Sequence, residues 1–246
     1  MDWASQCAAV IPCLDEAPTI GSLVRQVRIY LPTVLVVDDG SRDGTAVAAD
    51  AAGATVLANA CNQGKGAALA RAFGRARELG FRWALTLDGD GQHSPGDIPA
   101  FLVAARSTGA RLVVGNRMNA PGGMPWLRRT ANRWMSHRLS ELAGQTLPDS
   151  QCGLRLIDLG AWATLNLTTR HFEVESESLL AFARAGLPIA FVGIAVQPTV
   201  RPSRIHPLRD TVRWLRWWLG ARGTPVPDLH PPGAIPSVDP ESPCPL

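Results

Sequence analysis

The sequence lacks the marks of several protein classes. Its first residues carry neither the basic segment nor the apolar run of a secretory signal peptide, and no later window is apolar for long enough to span a bilayer. The five cysteines include no C-x-x-C pair, which argues against a zinc site or a disulfide framework and predicts a reducing compartment. These absences predict a cytoplasmic protein, which can still lie on the inner face of a membrane.

An excess of charge of one sign is also missing. The 24 Lys and Arg residues nearly balance the 21 Asp and Glu residues, so a general nucleic-acid binder is not indicated. The chain is long enough to bury one sizeable hydrophobic core. From 224 to 246 prolines recur every few residues with little apolar periodicity. We therefore predict one domain over residues 1–223 and a disordered or extended tail over 224–246.

Short β-rich runs alternate with helical patterns through the first half of the chain. Strands are predicted at 7–12, 34–38, 54–58, 83–87 and 112–115, with helices between them. This alternation predicts an α/β fold with a mainly parallel sheet covered by helices. Further along we expect helices at 125–143 and 175–185, a loop at 147–153, a strand at 189–196 and a basic, tryptophan-bearing amphipathic helix near 208–220.

Two carboxylates, Asp88 and Asp90, follow directly after the apolar run at 83–87. Parallel sheets hold their ligands at the carboxyl edge of their strands, where these side chains are expected. Clustered carboxylates repel each other unless a cation or a proton neutralises them. The pattern therefore predicts a divalent metal bound together with a phosphorylated substrate.

Two further segments carry candidate ligand groups. Asp38 and Asp39 end the strand at 34–38 and can accept hydrogen bonds from a ribose or a base; the alternative is a turn and a capped helix. Lys65 lies near a helix N-terminus, which favours anions, although a flexible helix start explains it equally well. The spacing differs from that of a Walker phosphate loop.

Taken in order, these segments resemble the family-2 glycosyltransferases of the GT-A (Rossmann-like) fold, and among them the dolichyl- and polyprenyl-phosphate hexosyltransferases that transfer glucose or mannose. The matching segments are 12–16, 36–45, 62–69, 88–93, 115–117, 149–155, 172–177 and 203–210. The resemblance implies a metal-dependent, inverting transfer of a hexose from a UDP- or GDP-linked sugar to a polyprenyl phosphate at the cytoplasmic membrane face.

The resemblance also implies roles for individual residues. Asp90, Arg117 and Asp149 would be catalytic, and Asp88, Asp90 and Gln92 would surround Mg²⁺ or Mn²⁺. Leu14 and Asp15 stand where the family usually has an aromatic residue and Asn, and Gly89 replaces a common Ala. The nucleotide sugar would contact Pro12, Leu14, Asp15, Glu16, Val37, Asp38, Asp39, Lys65, Asp88, Gly89, Gln92, Arg117, Arg201 and Arg204.

The sequence leaves two kinds of acceptor possible, a lipid phosphate or a sugar hydroxyl. A polyprenyl phosphate is largely ionised near neutral pH and hardly needs a general base, whereas a sugar hydroxyl needs one, with Asp149 or Glu175 as candidates. The Trp- and Arg-rich segments at 125–134 and 213–219 suit a membrane interface, or helices whose tryptophans pack on the protein body. A soluble family-2 enzyme acting on a glycan or small molecule, and a non-catalytic nucleotide-sugar-binding scaffold, are the alternatives; Asp88 and Asp90 argue against the scaffold.

Overall fold

Seven strands form one central sheet in the computed structural model, which describes residues 3–118, 124–197 and 207–223. The sheet order is β3-β2-β1-β4-β6-β5-β7, and every neighbouring pair is parallel except those that β6 makes with β4 and β5. In chain order the strands are β1 (Cys7–Cys13), β2 (Val34–Asp38), β3 (Thr55–Ala58), β4 (Trp83–Thr86), β5 (Leu112–Asn116), β6 (Arg155–Asp158) and β7 (Ile189–Gly193).

Helices cover both faces of the sheet, so its central strands β1, β2 and β4 are buried almost throughout and read as continuous apolar runs. Helix α2 shows the usual pattern, since it buries Ile20, Leu23, Val24 and Val27 along one stripe. The helices of the described residues are α1 (Trp3–Gln6), α2 (Ala17–Val27), α3 (Thr45–Ala51), α4 (Lys65–Glu78), α5 (Ile98–Thr108), α6 (Trp126–Ala143), α7 (Leu159–Ala163), α8 (Val174–Arg184) and α9 (Pro207–Ala221).

The predicted α/β architecture is confirmed, but strand β6 and the short helices α1 and α7 were missing from the prediction. Strand β6 begins and ends with a charged residue, Arg155 and Asp158, and is nevertheless fully buried. The guanidinium of Arg155 donates to three buried backbone carbonyl oxygens, at 2.7 to 3.0 Å, which removes most of the cost of burying it. Two of these oxygens lie in the preceding loop, at Ser150 and Cys152, and the third lies in α8, at Glu175. Such contacts leave no periodic pattern in the sequence.

Some predictions need correction or lie outside the described residues. Cys7, Cys13 and Cys152 are buried free thiols as expected, whereas Cys61 is disulfide-bonded, which the cysteine spacing did not predict. No helix within the described ranges is both long and apolar enough to cross a membrane. Arg201, Arg204 and the segment 224–246 lie outside the described residues.

Candidate active site

The loops after β1 and β2 are bonded to each other at the carboxyl edge of the sheet. Asp15 adopts a left-handed backbone conformation, with φ of 49°, which Asp tolerates better than most residues. Its N–H donates to Ser41 Oγ at 2.8 Å, and its Oδ1 accepts from the Arg42 N–H at 2.7 Å. The N–H of Glu16 donates to Thr45 Oγ1 at 2.7 Å. Asp15 and Glu16 therefore fix the shape of this edge.

Asp38 and Asp39 also organise the backbone around them. Asp38 Oδ1 accepts from the Ser41 N–H at 2.9 Å. The carboxylate of Asp39 accepts from Asn59 Nδ2 at 2.7 Å and from the Gly64 N–H at 2.8 Å, which ties β2 to the start of α4. A nucleoside would have to bond to the lone pairs that these contacts leave.

The other residues of β1 and β2 that were predicted to contact the nucleotide sugar lie near Gly89, between the two carboxylates Asp88 and Asp90. Pro12 and Val37 are direct neighbours in the parallel ladder, and Leu14 follows β1. A Cβ added at Gly89 would lie 2.6 Å from Cys13 Sγ. The thiol of Cys13 therefore occupies space that an alanine at position 89 would need, which accounts for the glycine.

Lys65 links two carboxylates, the partly exposed Asp88 and the buried Glu175. Its Nζ lies 2.5 Å from Asp88 Oδ1 and 2.5 Å from Glu175 Oε1, while His93 Nε2 lies 3.3 Å from Asp88 Oδ2. Burial alone would lower the pKa of Lys65, but the two carboxylates outweigh it and raise that pKa above its usual value. Lys65 and His93 in turn hold the pKa of Asp88 well below its usual range, against the effect of burial.

Asp90 experiences the opposite effect. Burial, followed by the charge of Asp88, raises the pKa of Asp90 above its usual value. Its two oxygens accept from Gln92, from the backbone N–H at 3.0 Å and from Nε2 at 2.6 Å. A cation between the two carboxylates would relieve this repulsion.

The donor set fits a divalent ion that shares its coordination shell with a substrate. No group of three or more His, Cys, Asp or Glu side chains in the described part of the chain could hold a metal alone. Mg²⁺ is commonly bound by one or two carboxylates together with substrate phosphates. Asp88, Asp90 and the amide oxygen of Gln92 supply that kind of partial, all-oxygen site.

Arg117 and Asp149 form a buried bidentate pair. Arg117 Nε and Nη2 donate to the two oxygens of Asp149 at 2.8 and 2.9 Å, and the backbone N–H groups of Arg117 and Gln151 donate to the same carboxylate. These bonds and the charge of Arg117 lower the pKa of Asp149 although burial raises it. A fully buried carboxylate bonded in this way is suited to orienting Arg117 and poorly suited to accepting a proton from a substrate.

The sequence analysis did not identify two residues that border the acidic pair. A Cβ added at Gly153 would lie 2.4 Å from Asp88 Oδ2, so this glycine makes room for the carboxylate. Arg128, in the first turn of α6, has a pKa lowered by burial and then by Arg117, and it interacts electrostatically with Asp90. Gly153 carried only a turn signal, and Arg128 was one of several arginines in a helical pattern.

The carboxylates at the carboxyl edge of the sheet, apart from Glu175, lie within a region that matches a known family. The profile of Glycosyl transferase family 2 matches residues 8–161, more than half of the chain. The chain belongs to glycosyl transferase family 2. The predicted family, its enzyme class and the GT-A fold are thereby confirmed.

Two named proteins and one crystal structure are similar to this family-2 enzyme. An undecaprenyl-phosphate mannosyltransferase of Micrococcus luteus is 33% identical over 80% of this chain and 77% of its own. A UDP-N-acetylglucosamine–dolichyl-phosphate N-acetylglucosaminyltransferase of Methanococcus voltae is 28% identical over 75% of this chain and 83% of its own. The crystal structure of glucosyl-3-phosphoglycerate synthase from Mycobacterium tuberculosis, in complex with Mn²⁺, UDP and phosphoglyceric acid, superposes with a TM-score of 0.67. It is 25% identical and covers 89% of this chain and 79% of that one.

The tryptophans of α6 and α9 pack against each other in this glycosyltransferase. Trp214 is only 2% exposed, and its ring centroid lies 5.6 Å from that of Trp134 and 6.1 Å from that of Trp218. The interpretation of the α9 tryptophans as membrane anchors is therefore wrong for Trp214, which packs on the protein body. The exposed apolar side chains of these helices, here called the apolar face, are Trp126, Leu127, Trp134, Val212 and Leu219.

Proposed function

We propose that this family-2 glycosyltransferase moves a hexose from a UDP- or GDP-linked sugar to a polyprenyl phosphate, with Mg²⁺ or Mn²⁺ as cofactor. The observation that carries the proposal is the pairing of the carboxylates. Both oxygens of Asp149 are bonded to Arg117, so Asp149 is poorly suited to take a proton. Glu175 is buried and ion-paired with Lys65 through Oε1, while its Oε2 has no hydrogen-bond partner among the described residues. A phosphate acceptor needs no such base, because it is already ionised near neutral pH.

The donor half of the reaction requires stabilisation of a leaving diphosphate. A divalent ion held by Asp88, Asp90 and Gln92 would neutralise the negative charge that builds on the diphosphate. Arg117, held by Asp149, and Arg128, beside Asp90, add two guanidinium groups at the same edge. Guanidinium groups bind phosphate oxygens through several N–H donors at once.

The bond changes follow from this placement. A phosphate oxygen of the acceptor attacks the anomeric carbon, and the bond from that carbon to the diphosphate oxygen breaks. The electron pair of the broken bond stays on the nucleoside diphosphate. A single in-line displacement of this kind inverts the anomeric configuration.

The apolar face supports a lipid acceptor. Trp126 and Leu127, which are 76% and 66% exposed, begin the helix that also carries Arg128. Amphipathic helices with aromatic and basic residues lie at membrane surfaces, where a polyprenyl phosphate presents its headgroup. The relatives from Micrococcus luteus and Methanococcus voltae are named for lipid phosphate acceptors. We infer a peripheral position on the cytoplasmic face of the membrane.

The donor half is tested by ligand-induced thermal stabilisation. A panel of UDP- and GDP-hexoses is added with Mn²⁺, and the expected result is a raised Tm for at least one donor, since a ligand that binds the native state stabilises it. The Asp90→Asn variant should lose this shift, and Asp50→Asn, on the exposed side of α3, should keep it. Equal stabilisation of Asp90→Asn, or in the presence of EDTA, would contradict the metal site.

A further inference from the structure

We propose that Trp214, Ser176 and Gln151 are positioning residues that hold Arg117 in place from helix α9. They form a chain of buried hydrogen bonds, here called the relay, that runs through Trp214, Ser176, Gln151 and Asp149 to Arg117. Only the catalytic consequence of the relay rests on the proposed function. Its structural part depends on the contacts alone.

The relay begins between α9 and α8. The indole Nε1 of Trp214 donates to Ser176 Oγ at 2.9 Å, and Ser176 is fully buried in the first half of α8. A buried indole N–H without an acceptor destabilises the fold, so this bond fixes the orientation of the Trp214 ring. It also occupies one of the two acceptor positions of the Ser176 hydroxyl.

Gln151 carries the relay from α8 into the loop at 149–153. Its Nε2 donates to Ser176 Oγ at 2.7 Å, and its backbone N–H donates to Asp149 Oδ1 at 3.1 Å. The same Oδ1 accepts from Arg117 Nη2 at 2.9 Å. The same Nε2 also donates to Ser150 Oγ at 2.9 Å. Gln151 thus bonds through its side chain to α8 and to Ser150, and through its backbone to the carboxylate that orients Arg117.

The neighbouring loop residue is held independently of α9. The Ser150 N–H donates to Ser136 Oγ of α6 at 2.9 Å, and its carbonyl oxygen accepts from Arg155 Nη2 at 3.0 Å. Breaking the bond between Trp214 and Ser176 should therefore leave the loop folded. We expect it to loosen only Gln151 and the Asp149–Arg117 pair.

Two tryptophans of α9 provide a matched pair of variants. Trp214→Phe keeps an aromatic ring and removes the indole N–H that bonds to Ser176. Trp218→Phe makes the same change next to it, where the buried indole N–H has no hydrogen-bond partner among the residues that the structure describes. Both variants are measured as full chains by hydrogen exchange of the Arg117 and Gln151 amides, which bond to Asp149, and by steady-state kinetics with nucleotide sugar and polyprenyl phosphate.

The relay predicts that the amides of Arg117 and Gln151 exchange about fivefold faster in Trp214→Phe, which is the effect expected for one net hydrogen bond. The exchange of both amides should not change in Trp218→Phe. The relay also predicts a similar fall in kcat in Trp214→Phe with little change in KM for the donor. Ser176→Ala should reproduce the Trp214→Phe result and serves as the second variant if Trp214→Phe folds poorly.

Equal exchange at these two amides in Trp214→Phe, Ser176→Ala and the wild type would overturn the relay. Faster exchange with an unchanged kcat would overturn its role in positioning Arg117 for catalysis. If the wild type transfers nothing to polyprenyl phosphate, the proposed function fails, and the exchange comparison still decides whether the relay exists.

Discussion

At the scale of single residues, the candidate site is shaped by carboxylates that are bonded within the protein. Asp39 ties β2 to α4, Asp15 ties two loops together, and Asp149 orients Arg117. Asp88 and Asp90 are also bonded within the protein, to Lys65 and to Gln92, but their pKa values are shifted in opposite directions. Lys65 lowers the pKa of Asp88 against the effect of burial, whereas burial and the charge of Asp88 raise the pKa of Asp90. The asymmetry marks the pair as the place where a cation would be accommodated.

Gly153→Ala tests the space next to Asp88. The added Cβ would lie within 2.6 Å of both carboxylate oxygens, so Asp88 has to move away from Lys65 and His93. We expect Mn²⁺-dependent nucleotide binding, measured by calorimetry, to weaken at least about tenfold, equivalent to 1.4 kcal/mol. Gly74→Ala is the control, since nothing lies within 4 Å of its Cβ in α4 and alanine favours a helix. Unchanged binding in Gly153→Ala would contradict this account of Asp88.

Asp149→Asn tests the buried pair through the pH dependence of stability. Because Arg117 lowers the pKa of Asp149, the ionised pair stabilises the fold above about pH 4, and this contribution disappears as the pH falls through the lowered pKa. The asparagine stays neutral and leaves the Arg117 charge buried without its partner, which costs about 3 kcal/mol at neutral pH.

The difference in unfolding free energy between wild type and Asp149→Asn should therefore shrink between pH 7 and pH 3. Urea denaturation at both pH values measures it, with Asp50→Asn as the exposed control. A difference that stays constant with pH would show that the charge of Asp149 contributes nothing to stability.

At the scale of helices and strands, local sequence patterns predicted the elements built from apolar runs and failed where contacts between distant elements decide the structure. The apolar runs of β1, β2 and β4 gave their positions to within one residue, and the acidic loop after β4 followed from them. Strand β6 could not be predicted, because its charged ends are compensated by contacts that leave no pattern in the sequence: backbone carbonyls around Arg155, and Arg82 and Arg111 around Asp158. The same limit applied to the tryptophans of α9, since their composition suits a membrane and only the packing shows that Trp214 is internal.

Trp126 and Leu127, two exposed residues of the apolar face, allow a test of membrane binding. The double variant Trp126→Ser, Leu127→Ser removes two side chains that are 76% and 66% exposed. We expect its co-sedimentation with anionic vesicles to fall severalfold, because each buried apolar side chain contributes about 1.5 to 3 kcal/mol at most. The matched control is Ile29→Ser with Val47→Ser, because Ile29, just after α2, is 77% exposed and Val47, on α3, is 74% exposed. Equal losses in both double variants would show that the apolar face is not a specific binding surface.

At the scale of the whole molecule, the fold brings three kinds of group to one edge of the sheet. These are the acidic pair after β4, the guanidinium groups of Arg117 and Arg128, and the first turn of α6 with the exposed Trp126 and Leu127. The sequence predicted ligand binding at the carboxyl edge of the sheet, because acidic residues directly follow the predicted strands. The proposal of a phosphate acceptor rests on the pairing of Asp149 with Arg117 and of Glu175 with Lys65, which the sequence alone does not show.

The measurement that tests this account most directly is transfer of labelled hexose to lipid. The full chain is incubated with the nucleotide sugar that stabilises it, Mn²⁺, and either a polyprenyl phosphate or the corresponding polyprenol, and label in the organic phase is counted. The account predicts labelled lipid only with the phosphate, and its loss with EDTA or in Asp90→Asn. Label on the polyprenol, or transfer only to a soluble sugar, would contradict it.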